Sequence, residues 1–133
     1  MKQTLFQEKY PVFVAEVDKR ETDHQSVGEI VDYFRKKITE NPKLQLIGIF
    51  DHYAHTRAID GEIGSGITGA VNLIFCFGFA LPNAHILAVR PRSIGVADNG
   101  KTFVVSFMEA PMATANETME SWVRDLRRAP ITD

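Results

Sequence analysis

The stretch SIGVADNGKTFVVSF, residues 93–107, contains two runs rich in β-branched and aromatic residues, with Asn99 and Gly100 between them. Asparagine and glycine tolerate a positive φ, and a type I′ turn needs a positive φ at both of its central positions. The stretch therefore predicts an antiparallel β-hairpin that reverses direction at Asn99-Gly100 through a type I′ turn.

Three more strands are predicted from apolar runs that are bounded by polar or turn residues. They are PVFVAEV at residues 11–17, LQLIGIF at residues 44–50 and VNLIFCFGFAL at residues 71–81. Runs of this length, rich in valine, isoleucine and phenylalanine, are typical of strands.

Two helices are predicted from capping boxes that precede apolar residues at helical spacing. In a capping box, two side chains three residues apart satisfy free backbone N–H groups at a helix start. Ser26 and Glu29 form one such pair, and this helix ends before Pro42. Thr114 and Glu117 form another. The apolar stripes are Val27, Ile30, Val31, Phe34 and Ile38 in the first helix and Met119, Trp122, Val123 and Leu126 in the second.

The predicted element order is β-α-β-β-β-β-α, with the hairpin as the fourth and fifth strands. An order of this kind favours an α+β fold with a single antiparallel sheet and helices packed on one face. The chain has 133 residues, which is a typical length for one domain, so residues 1–133 are predicted to form a single α+β domain.

The two central strands carry apolar residues on both faces of the predicted sheet. Leu44, Leu46 and Phe50 alternate with Ile47 and Ile49, and Leu73, Phe75, Phe77 and Phe79 alternate with Ile74 and Cys76. Two helices can cover only one face of such a sheet. The other face must be covered by residues 57–70, by a second subunit or by a bound apolar ligand.

Composition excludes several classes of partner. With 17 acidic and 15 basic side chains, the chain has no basic excess that would bind nucleic acid or an anionic membrane surface. The start MKQTLFQEKY lacks the apolar core of a signal peptide, and the longest apolar run is too short to span a bilayer. A single cysteine fits a reducing compartment. We therefore expect a cytoplasmic protein with no nucleic-acid or membrane partner.

Asp51, His52 and His55 lie close together in FDHYAHT, residues 50–56. Two imidazoles and a carboxylate are ligands that zinc or iron accepts, and His85 or His24 could complete a site from elsewhere. Alternatively, Asp51 ends the strand and accepts backbone hydrogen bonds, while the histidines lie at a partly exposed rim. These residues are candidates for ligand binding or, as the alternative, for metal or haem binding.

Arg90 and Arg92 flank Pro91 in AVRPRS and are a second candidate for ligand binding. Two forked guanidinium groups could clamp a carboxylate or a phosphate. The alternative is that both side chains lie in solvent where the chain enters the hairpin.

Cys76 could act as a nucleophile, with His52 as its base and Asp51 as the orienting group. However, Phe75 and Phe77 flank it within an apolar run. We therefore predict a buried and unreactive thiol.

GSGITG, residues 64–69, has the letter pattern of a dinucleotide-binding loop. That loop works only where a strand precedes the glycines and a helix follows them. Here DGEI precedes and the strand-like AVNLIFCF follows, so the segment is predicted to be a loop between two strands.

Three segments together carry a family resemblance over about residues 13–107. FDHYAHT, NLIFCFG and RPRSIGVADNGKTFVVSF resemble the bacterial domain-of-unknown-function family 302, with Asp51, His52 and Gly78 at its motif positions. The resemblance implies a TATA-binding-protein-like arrangement, in which one helix follows the first strand and another follows four more. It implies no activity and no DNA binding, since this fold hosts unrelated functions.

The sequence favours a non-catalytic module that binds a small apolar or anionic ligand, or that forms a homodimer through the second sheet face. In the ligand-binding version, Asp51, His52 and His55 lie near the mouth of the site together with Arg90 or Arg92. The alternative is a metal- or haem-binding protein or an enzyme that uses the Asp51, His52 and His55 rim. The pattern identifies no particular cofactor.

Overall fold

A computed structural model describes residues 1–78 and 80–128. One sheet contains six antiparallel strands in the order β1-β2-β6-β5-β4-β3. The strands are β1 (Lys2–Phe6), β2 (Tyr10–Asp18), β3 (Gln45–Asp51), β4 (Gly69–Cys76), β5 (Arg92–Asp98) and β6 (Thr102–Met108). The helices are α1 (Val27–Thr39), α2 (His52–Ala58) and α3 (Ala113–Arg124), and two 3₁₀ helices span Lys19–Glu21 and Ala84–Val89. No helix in these two described ranges is long and apolar enough to cross a membrane.

The predicted fold class is confirmed, because helices pack against a single antiparallel sheet. The predicted order is found from β2 to α3, while β1 and α2 are additional elements. All five residues of β1 are exposed, so this strand lacks the apolar alternation that would predict it. Helix α2 has seven residues, which is too short for a periodic apolar stripe.

One sheet face is buried beneath α1 and α3. The buried strand residues are Ala15, Val17, Leu73, Phe75, Ile94, Val96, Phe103, Val105 and Phe107. The ring of Trp122 in α3 lies 6.0 Å from that of Phe75, and Tyr33 Oη in α1 donates to the Trp122 carbonyl at 2.5 Å. Fully burying a side chain such as Phe75 stabilises the fold by roughly 1.5–3 kcal/mol, so this layer is the main source of stability.

The two predicted helix starts have different outcomes. Ser26 Oγ accepts from Glu29 N at 3.1 Å, which confirms Ser26 as the N-cap, that is, the Ser26 half of the predicted capping box. The second is wrong, because α3 begins one residue before Thr114 and has no side-chain cap. The buried side chain of Asn116 instead bonds both backbone groups of Ala110, which places Thr114 inside the first turn.

The hairpin of β5 and β6 is confirmed, but its predicted turn type is wrong. Gly100 has a φ of 93°, whereas Asn99 is not among the residues with positive φ. Two consecutive positive φ values occur instead at Gln7 and Glu8, between β1 and β2. Strand β4 is also shorter than predicted and ends at Cys76.

The sheet face opposite α1 and α3, here called the open face, is not buried by residues of the described ranges. Its strand residues are half-buried or exposed, and they include Val12, Val14, Asn72, Ile74, Gly95, Val104 and Ser106. The open face therefore matches the sequence expectation of a second face that needs a cover.

Candidate functional site

A groove of about 710 Å³ lies on the open face and is here called the sheet groove. Strands β2, β4, β5 and β6 form its floor through Val12, Val14, Asn72, Ser93, Gly95 and Ser106. Phe6, Met108, Ala88, Val89 and Pro91 also line it, and none of residues 57–70 does. Sites for small organic molecules have volumes of about 300–1,000 Å³, so the sheet groove has a suitable size.

Residues with small side chains lie next to each other on neighbouring strands and leave open space above the groove floor. Gly95 pairs with Ser106 on one side and with Asn72 on the other. A Cβ atom on Gly95 would lie 3.5 Å from Asn72 Nδ2 and 3.6 Å from Ser106 Oγ, which are ordinary contacts. Asn72 Nδ2 also donates to Ser93 Oγ at 3.1 Å. The backbone would therefore accept a larger residue than Gly95, and the glycine leaves open space above a polar floor.

Arg92 begins β5 and borders the sheet groove. Its Nη1 donates to the Val89 carbonyl at 3.2 Å, and its Nη2 donates to the Met108 carbonyl. Its Nε is buried and has no hydrogen-bond partner among the residues at 1–78 and 80–128. Leaving a buried donor unpaired costs roughly 1–3 kcal/mol, and more for a charged group. Arg92 pairs with Phe75 and lies two residues before Ile94, so its side chain leaves β5 on the helix side. The unused donor is therefore buried on that side, although Arg92 also lines the end of the sheet groove.

The charge of Arg92 is not balanced by a neighbouring carboxylate. Burial lowers the pKa of Arg92 from its ordinary value. The guanidinium nevertheless stays protonated, since that ordinary value is far above neutral pH. None of the ion pairs between described residues includes Arg92, although Glu109 also lines the groove. A carboxylate or phosphate could supply both a negative charge and an acceptor.

Arg90 does not line the sheet groove, so the predicted pair does not clamp a single point in it. Its Nη1 donates to the Ala80 carbonyl at 2.7 Å. A Cβ atom on Gly78 would overlap the Arg90 guanidinium, which shows how closely that side chain covers the glycine. Both arginines line a separate cavity of about 30 Å³ beside Ile86. Of the two, only Arg92 borders the sheet groove.

Asp51 has the structural role that the sequence left open as an alternative. Its Oδ1 accepts from Ala54 N at 2.9 Å and caps α2. In the next turn, Thr56 Oγ1 donates to the His52 carbonyl at 2.8 Å and lies 3.2 Å from His52 Nδ1. Because the hydroxyl has one hydrogen, Nδ1 must be the donor in the second contact.

The histidines do not converge on one point. The rings of His52 and His55 are 6.5 Å apart at their centroids and flank Phe50, whose ring is 5.4 Å from each. His85 belongs to the second 3₁₀ helix, and the ring of His24 packs 5.4 Å from a tyrosine. Throughout the described chain, no group of three or more histidine, cysteine, aspartate or glutamate side chains could hold a metal ion. The geometry gives no support to the metal or haem alternative.

Cys76 is half-buried, which corrects the prediction of a buried thiol. Phe75 and Phe77 are buried on the helix side, so Cys76 between them belongs to the open face. Asp51 pairs with Val71, which is about 16 Å from Cys76 along β4. The cysteine-histidine arrangement considered from the sequence is therefore not formed.

Strand β4 also shows that the rim formed by Asp51, His52 and His55 is distant from Arg92. Arg92 pairs with Phe75, and Asp51 pairs with Val71, which lies about 13 Å farther along β4. The structure thus does not place the rim and Arg92 at one mouth.

The floor residues Asn72, Gly95 and Ser106 were not predicted as site residues. For Gly95, the signal in the sequence was the alternation of Ser93, Gly95 and Ala97 with Ile94 and Val96 in β5.

Comparison with known proteins identifies a family but assigns no role to the groove. No curated protein matches it. A family model described as Family of unknown function (DUF6858) matches residues 1–128. This match confirms a domain of unknown function, but it names neither family 302 nor a TATA-binding-protein-like fold. The chain therefore belongs to the Family of unknown function (DUF6858).

Proposed function

We propose that this domain binds a small anionic molecule with an apolar body in the sheet groove, and that it does so without catalysing a reaction. Arg92 holds the anionic group, and the valines of the floor contact the apolar body.

The position of Arg92 is the observation that carries the proposal. Its charge is unpaired within the described ranges, and Arg92 lines a groove of about 710 Å³. An anion bound in the groove next to Arg92 would balance this charge. Charge-assisted hydrogen bonds to arginine are about twice as strong as neutral ones.

The rest of the lining supports an apolar body for the ligand. Val12 and Val14 lie on the floor, and the walls include Phe6 and Met108, which are 57% and 46% exposed. Exposed apolar side chains around a concave surface are typical of ligand sites. Asn72 and Ser106 add a small number of polar contacts that could orient the bound molecule.

Titration calorimetry with straight-chain and aromatic carboxylates, each compared with its methyl ester, tests the proposal. We expect binding of the acids and at least tenfold weaker binding of the esters. Gly95→Val should abolish binding by filling the floor, because a Cβ atom there makes only ordinary contacts. Gly48→Val is the matched control, since Gly48 pairs with Ile74 on the same face, does not line the groove and has no atom within 4 Å of its Cβ position.

Arg92→Lys tests the anion contact separately from the shape of the groove. Lysine keeps the charge but lacks the forked donors, so carboxylate affinity should fall at least tenfold while ester affinity stays the same. Equal binding of acids and esters by the natural protein, or unchanged acid binding by Gly95→Val, would refute the proposed function.

Three finer expectations stay within this proposal. The cytoplasmic location is supported by the single cysteine. The TATA-binding-protein-like arrangement is supported by the order in which α1 follows β2 and α3 follows four further strands. A homodimer is also proposed, and since the ligand occupies the open face, the dimer must use a different surface.

A further inference from the structure

Strand β1 forms one edge of the sheet, and no strand of the two described ranges pairs with its outer side. The hydrogen bonds of β2 show which groups of β1 face outward. Glu109 N donates to the Pro11 carbonyl at 3.0 Å, so the Pro11 backbone faces β6 and turns away from its partner Leu5. Successive residues of a strand face opposite sides. Gln3 and Leu5 therefore direct their N–H and C=O groups away from the sheet, and the Leu5 carbonyl also accepts a 3.3 Å bond from Glu8 N.

This edge lacks the features that normally prevent pairing between strands. The opposite edge, β3, has a bulge between Leu46 and Gly48 and leads directly into α2. Strand β1 has the sequence KQTLF, with no proline and no charge after Lys2, and its register with β2 is regular. Bulges, prolines and central charges are the usual protection of an edge strand. The Leu5 side chain is also 60% exposed.

We propose that β1 pairs with β1 of a second copy of this chain, antiparallel and around a two-fold axis at Thr4. In this register Gln3 lies opposite Leu5 of the second copy, and the outward groups of both strands form four hydrogen bonds between the copies. The two sheets then become one continuous sheet. This inference is independent of the proposed ligand.

The side chains of β1 fit a second copy because this register is self-complementary. Thr4 lies opposite Thr4 of the other copy, which is a favourable cross-strand pair. Lys2 lies opposite Phe6, so the two lysines are apart and each aliphatic stem can cover an exposed ring. Phe6 also lines the sheet groove, and Lys2 of the second copy would therefore add a positive charge at the groove rim.

Sedimentation equilibrium of the full chain, from about 1 µM to about 500 µM, is the first test, because such a short interface should give a dissociation constant in the micromolar range. Thr4→Lys and Thr4→Glu should each raise that constant at least tenfold by placing like charges opposite each other. An equal mixture of the two variants should form a heterodimer that restores association. A monomeric natural protein, or variants that associate alone as well as they do together, would overturn the register.

Leu5→Pro provides a backbone test with a matched side-chain control. Proline removes an N–H that points out of the sheet, so the fold should be kept while the dimer is lost. Leu5→Thr removes the same side chain but keeps the N–H, and it should still dimerise. Circular dichroism melting of each variant confirms folding before association is measured. Dimerisation of a folded Leu5→Pro variant, or a monomeric Leu5→Thr variant, would show that the backbone pairing is wrong.

Discussion

Replacing Asn116 of α3 with alanine should destabilise the segment that joins β6 to α3. Asn116 Oδ1 accepts from Ala110 N at 2.8 Å, and Asn116 Nδ2 donates to the Ala110 carbonyl at 3.0 Å. Asn116 is 9% exposed and Ala110 is 5% exposed. Water therefore does not reach these backbone groups while the amide is in place.

The expected loss follows from the two backbone groups that would be left unpaired. Each buried unpaired donor or acceptor costs about 1–3 kcal/mol, and we expect about 2–4 kcal/mol in total, since one entering water could serve both groups. This is a large part of the roughly 5–15 kcal/mol that stabilises a typical domain. Asn116→Asp should cost a similar amount, because a carboxylate oxygen would then face the Ala110 carbonyl.

Urea unfolding followed by circular dichroism measures the free energy of unfolding for each variant. Thr118→Ala is the control on the same helix, because its exposed hydroxyl donates only to the Thr114 carbonyl. Its effect should stay within about 0.5 kcal/mol. A loss below about 0.5 kcal/mol for Asn116→Ala, with an unchanged urea dependence, would refute the reasoning, since Ala110 would then have found other partners.

Three further predictions concern single side chains. Glu8 has a φ of 62°, so Glu8→Gly should raise stability by about 0.5–1 kcal/mol, and an unchanged or lower melting temperature would contradict this. Burial, and the nearby charge of Asp125, raise the pKa of Tyr33 from 10.0 to about 12. The folded state therefore favours the neutral phenol, and the stability that this adds to the fold is present below pH 10 and is lost as the pH rises towards 12. The difference in unfolding free energy between the natural protein and Tyr33→Phe should shrink by about 1 kcal/mol between pH 10 and pH 12. This value is reduced because the ring is half-exposed, and a difference that stays constant with pH would refute the prediction. Gly78→Ala should displace the flexible Arg90 guanidinium and cost at most about 1 kcal/mol, and this cost should vanish in an Arg90→Ala background.

The sequence predicts those parts of the fold in which burial follows a regular period. Residues 93–107 indicated the hairpin, and the stripe of α1 indicated its buried face, because both depend on local spacing. Strand β1 has no buried residue and leaves no such pattern. The turn at Gln7-Glu8 also escapes prediction, since neither residue is a usual choice for positive φ.

The candidate site was predictable only in part, for a similar reason. Arg92 was named because a guanidinium indicates chemistry by itself. The groove floor was not predicted, because Gly95 and Ser106 contribute to the site through the space that their small side chains leave beside Asn72. The distance between Asp51 and Arg92 depends on strand register, which is set by long-range pairing rather than by local spacing.

The strand order also determines when each part of the sheet can form during synthesis. Strands β3 to β6 pair with their neighbours in sequence, whereas β2 pairs with β6. Asp18 therefore cannot pair with Thr102 until Thr102 has been synthesised. Closing so long a loop is entropically costly and slows folding. The β1–β2 hairpin therefore leaves the ribosome before β3 to β6 but can join the sheet only after β6 has been made. During that interval both of its edges are unpaired, so the nascent chain is most prone to aggregate before β6 has been made.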